Sequence, residues 1–179
     1  MSNRRTTLKV ETVTGMRYLD TAILHGHPMQ PAIQVADAIP SEVQAGVTAG
    51  LRAANAALVG PSGYVALATW ASDSADGMLF GGLIGYTAWG WLYIERLWVA
   101  EAQRGTGLGG RLIAAAETEA VRRGCQNAWI DTFNPAALRL YLSRGYLVFG
   151  ALPDFPPGHT RSFLHKSLKY NRLPRARSG

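Results

Sequence analysis

Apolar positions recur at helical spacing in two stretches and at strand spacing in several others. Ile33 and Val35 alternate in PAIQVADAIP, which predicts a strand closed by Pro40. Ser41 and Gln44 fit a helix N-cap with its capping-box partner. Val43, Val47, Leu51 and Leu58 then follow a helical period until GPSG at 60–63. YVALATW predicts a strand and SDSADG a turn, and the region Gly77–Ile94 predicts two strands around a turn at AWG, 88–90. The second of these strands runs on through ERLWVA to about Ala100.

Downstream the pattern is regular. LIAAAETEAVRRG predicts a helix stopped at Gly124, and QNAWIDTF a strand. NPAALRLYLSRG predicts a helix with Asn134 as N-cap, Pro135 in its first position and Gly145 as its stop. YLVFGAL and TRSFLHKSL are strands on either side of the turn-rich loop PDFPPGH. The order is strand, helix, three strands, helix, strand, helix, two strands. That order predicts a single-domain mixed α/β sheet flanked by helices over residues 31–168. Residues 1–30 show no clear period and read as an N-terminal arm, and residues 169–179 as a basic tail.

Charge changes the picture little. The chain of 179 residues has 18 basic and 12 acidic side chains. Seven of the basic ones lie at the ends: Arg4, Arg5, Lys9, Lys169, Arg172, Arg175 and Arg177. Without them, 11 basic face 12 acidic side chains, so the body is near neutral. Solvated basic ends explain the charge, and no nucleic-acid partner is expected. The 18 residues Gly77–Ile94 are uncharged, close to a membrane-span length, but five are glycine and β-formers dominate. They read as buried strands, and no membrane association is expected. No apolar leader precedes residue 30, and the single cysteine, Cys125, reads as a small buried side chain. A cytoplasmic location is the expectation. His25 and His27 have no ligand cluster around them, so no metal is expected.

The candidate chemistry lies in QRGTGLGGR, 103–111. Its glycines allow close approach to a phosphate at the start of a helix. A P-loop would need Gly-Lys-Ser or Gly-Lys-Thr, and Gly109-Gly110-Arg111 stands there instead. Gly105, Gly107 and Gly110 fit the dinucleotide fingerprint, and Asp131 follows at a suitable distance. Against that reading, AEAQR separates the strand end at Val99 from the first glycine, and too little chain remains for a doubly wound sheet.

A third reading uses more residues. Arg104-Gly105-Thr106-Gly107-Leu108-Gly109 is followed by Arg111, then by Asn134-Pro-Ala-Ala137-Leu-Arg-Leu-Tyr141, Gly145-Tyr146 and Gly150. This set resembles the GCN5-related N-acetyltransferase (GNAT) family, over about residues 31–168 and most specifically 91–150. The resemblance implies acetyl-CoA as acyl donor, with its pyrophosphate on the 104–109 loop and beside Arg111. It implies a bulged strand that splays from its neighbour, with pantetheine along the backbone of Leu97, Trp98 and Val99. Asn134 and Ala137 match donor-contacting positions, and Tyr141 matches the tyrosine near the CoA sulfur, a proton donor to the leaving thiolate.

On a strand, Trp91, Tyr93, Glu95, Leu97 and Val99 share one face, on which Glu95 is the only acid. In an apolar cleft it becomes the candidate general base, with a salt-bridge role as the structural alternative. His159 is the second candidate, and Asp131 is assigned a structural role. The implied function is N-acetyl transfer to an amine of a small molecule or a peptide, directly in a ternary complex. Two alternatives stand beside it: a catalytically idle acyl-CoA-binding module, and a dinucleotide-binding oxidoreductase. A homodimer is compatible with the resemblance, although no seam is specified.

Overall fold

The computed structural model describes residues 31–169 and two short strands, β1 (Thr12–Val13) and β2 (Met16–Arg17), which pair antiparallel. The rest of the arm, including His25 and His27, and tail residues 170–179 lie outside the described residues. The chain divides into two compact units, 1–54 and 55–179.

In the first unit, residues 31–36 form no strand. This corrects the expectation for PAIQVADAIP. Alternation alone does not make a strand, since the backbone needs a neighbouring ladder, and among the described residues none pairs there. Helix α1 spans Ser41–Val59. The predicted capping box does not form: the Ser41 hydroxyl donates to the Glu42 carboxylate, and the first backbone bond runs from the Gln44 N–H to the Pro40 carbonyl. Val43, Val47, Leu51 and Leu58 hold their helical spacing but are exposed.

The second unit is built on a six-stranded sheet in the order β3-β4-β5-β6-β8-β7. β3 (Val65–Ser72), β4 (Leu79–Ala88) and β5 (Trp91–Val99) form an antiparallel meander. Trp89 and Gly90, both at positive φ (47° and 76°), make the tight turn between β4 and β5. A 3₁₀ turn (Glu101–Gln103) and α2 (Leu108–Arg122) carry the chain to β6 (Asn127–Thr132), parallel to β5. Then come α3 (Pro135–Ser143), β7 (Leu147–Leu152) and β8 (Arg161–Ser167), and β8 lies between β6 and β7.

One face of the sheet makes the core. Leu67, Leu83, Leu92, Ile94, Ala128, Ile130 and Leu164 meet Leu112, Ile113, Ala116 and Ala120 of α2 and Tyr141 of α3. Cys125 is buried here as expected, and burial pushes its thiol pKa up. At the margin, Lys166 Nζ donates to both Glu117 carboxylate oxygens at 2.9 and 2.7 Å. That pair ties α2 to β8.

Candidate acyl-transfer site

The site begins with a break in β5. Leu97 pairs with Leu83 and Arg96 with Ile84, but Gly85 pairs with Ile94. Glu95 is therefore the extra residue of a β-bulge. Gly85 permits it: a Cβ there would run into the Tyr93 carbonyl oxygen. The bulge reverses the alternation that a regular strand would keep. Leu97 and Val99 pack with Leu92 and Ile94 against the core, while Trp91 and Tyr93 lie on the other face. The expectation that Trp91, Tyr93, Glu95, Leu97 and Val99 share one face is thereby corrected. The physical reason is the inserted residue, which shifts every later side chain by one.

The second break follows at once. Parallel pairing of β5 with β6 runs from Trp91–Asn127 to Ile94–Ile130 and stops. From Arg96 to Val99, β5 keeps β4 on one side and has no ladder to β6 on the other. Leu97, Trp98 and Val99 thus present backbone to a gap that opens between the two strands. Trp98 turns its side chain to solvent.

At the end of β5 stands the glycine loop. The Thr106 hydroxyl donates to the Gln103 carbonyl at 2.8 Å, which fastens the loop to the 3₁₀ turn. Gly105 and Gly107 have φ of 78° and 81°, a backbone that side-chain-bearing residues rarely adopt. Gly107 caps α2 without a side chain, and the first backbone bond is from the Arg111 N–H to the Gly107 carbonyl. The N–H groups of Leu108, Gly109 and Gly110 precede that bond, in the orphan positions of a helix start. Leu108 sends its side chain into the core, so only its N–H faces the site. Gly109 packs between Val99 and Leu140. Arg111 is exposed, and Arg104 donates through Nε to the Val99 carbonyl at 3.3 Å, holding the loop to the strand end.

α3 supplies the other wall. Asn134 Oδ1 accepts from the Ala136 N–H at 2.8 Å and the Ala137 N–H at 3.4 Å, the N-cap expected for it. Its amide NH₂ stays free of that duty. Ala137 packs against the core, and Tyr141 is buried one turn further on. Burial first, and then the Asp131 carboxylate, push the Tyr141 phenol pKa up to about 12. Among the described residues its hydroxyl has no hydrogen-bond partner.

Glu95 is exposed rather than enclosed in an apolar cleft, and among the described residues it has no ion pair. It lies on the side of Tyr86 and Tyr93. Burial, followed by Glu95, raises Tyr86, and burial, Asp131 and Glu95 in that order raise Tyr93. Arg161 pairs with Asp131 at 2.5 Å, not with Glu95, and its guanidinium lies 4.9 Å from the Phe155 ring centroid. Asp131 therefore has an ion-pair partner on β8. The pair joins the end of β6 to the start of β8, just after the loop that carries His159. His159 is exposed in that loop, its ring 6.4 Å from that of Phe133 just beyond β6. Sequence reading missed Trp129, whose ring stacks on Tyr93 at 3.9 Å, and the Arg161 partnership. Both depend on strand register, and no local pattern encodes that. Among the described residues no group of three His, Cys, Asp or Glu side chains is placed to hold a metal ion.

Comparison with known proteins decides the family. Residues 49–146 match the model of the acetyltransferase (GNAT) family. The chain belongs to the GNAT acetyltransferase family. Over 91 residues it is 47% identical to an acetyltransferase of Agrobacterium fabrum strain C58, a stretch covering 51% of this chain and 66% of that protein. Over 93 residues it is 43% identical to a blasticidin-S acetyltransferase of Streptomyces morookaense, covering 51% of this chain and 68% of that one. A crystal structure of a candidate acetyltransferase from Agrobacterium tumefaciens matches with a TM-score of 0.73 at 38% identity, over 76% of this chain and 99% of that chain. The meander β3–β5 ahead of the loop is also unlike a doubly wound dinucleotide fold.

Proposed function

We propose that the protein transfers an acetyl group from acetyl-CoA to an amine, directly in a ternary complex. The observation that carries this reading is the gap between β5 and β6 beyond the Ile94–Ile130 pair, closed at one end by the Gly105–Gly107 loop. Pantetheine fits there along the Leu97–Val99 backbone. The pyrophosphate fits at the α2 N-terminus, where N–H groups and Arg104 and Arg111 supply positive charge. Asn134 offers its free amide to the donor beside Ala137.

Glu95 accepts a proton from the incoming ammonium, directly or through water. The free amine adds to the thioester carbonyl, and a backbone N–H near Val99 stabilises the oxyanion. The C–S bond then breaks. A thiol titrates near ~8.5, so full proton transfer from a phenol near 12 is uphill. Tyr141 acts by donating a hydrogen bond to sulfur as charge develops there and keeps its own proton; CoA leaves as the thiolate, and the second proton shed by the acylated nitrogen goes to it or to water.

The acceptor is an amine on a small molecule or a peptide. The relative named for blasticidin S places that compound in the panel to be tried. A thiol-release assay with acetyl-CoA across amine classes, run beside calorimetric titration with CoA, tests the proposal. CoA binding with no thiol release for any amine points to the idle binding module, and the absence of CoA binding refutes the donor assignment.

A further inference from the structure

We propose that Arg144 reads a phosphate of the donor, as a third cation beside Arg104 and Arg111. The inference rests on the acetyl-CoA reading above. Arg144 closes α3, its N–H bonded to the carbonyls of Leu140, Tyr141 and Leu142, so its backbone is fixed. Its guanidinium lies directly on Gly110, in the first turn of α2. A Cβ at Gly110 would fall within 2.6 Å of both Arg144 Cζ and Nε. The missing side chain at Gly110 is the seat of the guanidinium, and Gly110 is buried beneath it.

Charge makes this placement informative. Among the described residues the Arg144 guanidinium has no hydrogen bond and no ion pair. Glu117 lies further along α2, but Lys166 occupies both of its oxygens. The N-terminal turn of a helix carries partial positive charge, so a cation there has the wrong sign for it. An anion lying between the guanidinium and the free N–H groups would be attracted by both. Arginine presents five donors in a planar fork that matches phosphate oxygens. The other loop cation, Arg104, already donates through Nε to the Val99 carbonyl. Sequence alone shows Arg144 only as a residue before a helix-stopping glycine. α3 packing brings it to the loop.

Three donors separate the sources of the phosphate: acetyl-CoA, its 3′-dephospho form, and acetyl-pantetheine, which lacks the 3′-phosphate and the pyrophosphate alike. Arg144→Gln is expected to raise KM and the calorimetric Kd for acetyl-CoA by roughly 10- to 100-fold with kcat little changed. The penalty must disappear with acetyl-pantetheine. If it disappears with the 3′-dephospho donor as well, the contact is to the 3′-phosphate; if it persists there, the contact is to the pyrophosphate. Gly110→Ala fills the seat while keeping the charge, and alanine favours helix, so its melting temperature should not fall. It should weaken acetyl-CoA binding in the same direction, and it keeps the test open should Arg144→Gln fail to fold. Equal penalties on all three donors, or unchanged acetyl-CoA affinity in both variants, would overturn the assignment while leaving the donor reading intact. An unmodified protein that does not bind acetyl-CoA would overturn both.

Discussion

Tyr93 and Trp129 stack with ring centroids 3.9 Å apart and planes 13° from parallel, directly opposite each other in the β5–β6 ladder. They lie one rung before the ladder ends at Ile94 and Ile130. Tyr86 meets Tyr93 edge-on at 5.3 Å, and Tyr64 lies tilted against Tyr86 at 4.9 Å. Four rings therefore brace the sheet at the root of the gap, and the bulge and the parting of the strands begin just past them. Glu95 leaves the strand where this support stops.

Replacing Tyr141 with Phe keeps the buried ring and removes only the donor. kcat should fall by about 10²-fold, the size of a hydrogen bond to a charged sulfur, with KM for acetyl-CoA little changed. Steady-state kinetics with varied donor measure it. Parental activity in the variant would move the role to water.

The same tyrosine fixes an alkaline behaviour. Its folded pKa, about 12, is raised above the unfolded value near ~10. The unfolded chain therefore loses its phenol proton first, and stability is lost as pH rises from about 10 through 12. Tyr146, buried and also raised by burial and by Glu117, adds to the trend. Denaturant midpoints between pH 9 and 11 should fall, and less steeply in Tyr141→Phe.

Glu95→Gln retains the shape of the exposed side chain. kcat/KM should be reduced most at moderate pH, where the acceptor is mainly ammonium, and the deficit should shrink as rising pH supplies free amine. A deficit constant across the pH range assigns Glu95 to acceptor positioning and returns the base to His159 or solvent.

Gly107→Val puts a β-branched residue at φ 81°. Nothing lies within 4 Å of the added Cβ, so the fold has room, and the backbone strain costs about 1–2 kcal/mol. CoA affinity should drop through loss of close phosphate approach. Calorimetry alongside thermal melting separates the two effects, and an unchanged Kd refutes the loop assignment.

Lys166→Met leaves the Glu117 carboxylate buried without its partner and should destabilise the protein by about 3 kcal/mol. Combining it with Glu117→Leu should restore most of that loss, as read from urea midpoints. If the double variant is no more stable than Lys166→Met, the pair is not the source of the effect.

The sequence by itself determined the elements of the second unit, because their signals are local. The stop at Gly124, the Asn134-Pro135 entry to α3 and the turn at Gly90 are each set by a residue's own backbone preferences. It also determined the glycine loop at the start of α2, since glycines at positive φ and a helix start are written in adjacent residues. Residues 31–36 show the limit of that logic, because a strand exists only when another chain segment completes its ladder. Tertiary structure alone decided where Glu95 points, for one unpaired residue in β5 reverses every side chain after it, and the reversal shows only against β4. It also decided that Asp131 meets Arg161, that Trp129 stacks on Tyr93, and that Arg144 comes to rest on Gly110. Each of these joins residues on separate elements, and the distance between them is fixed by register and packing rather than by any pattern along the chain.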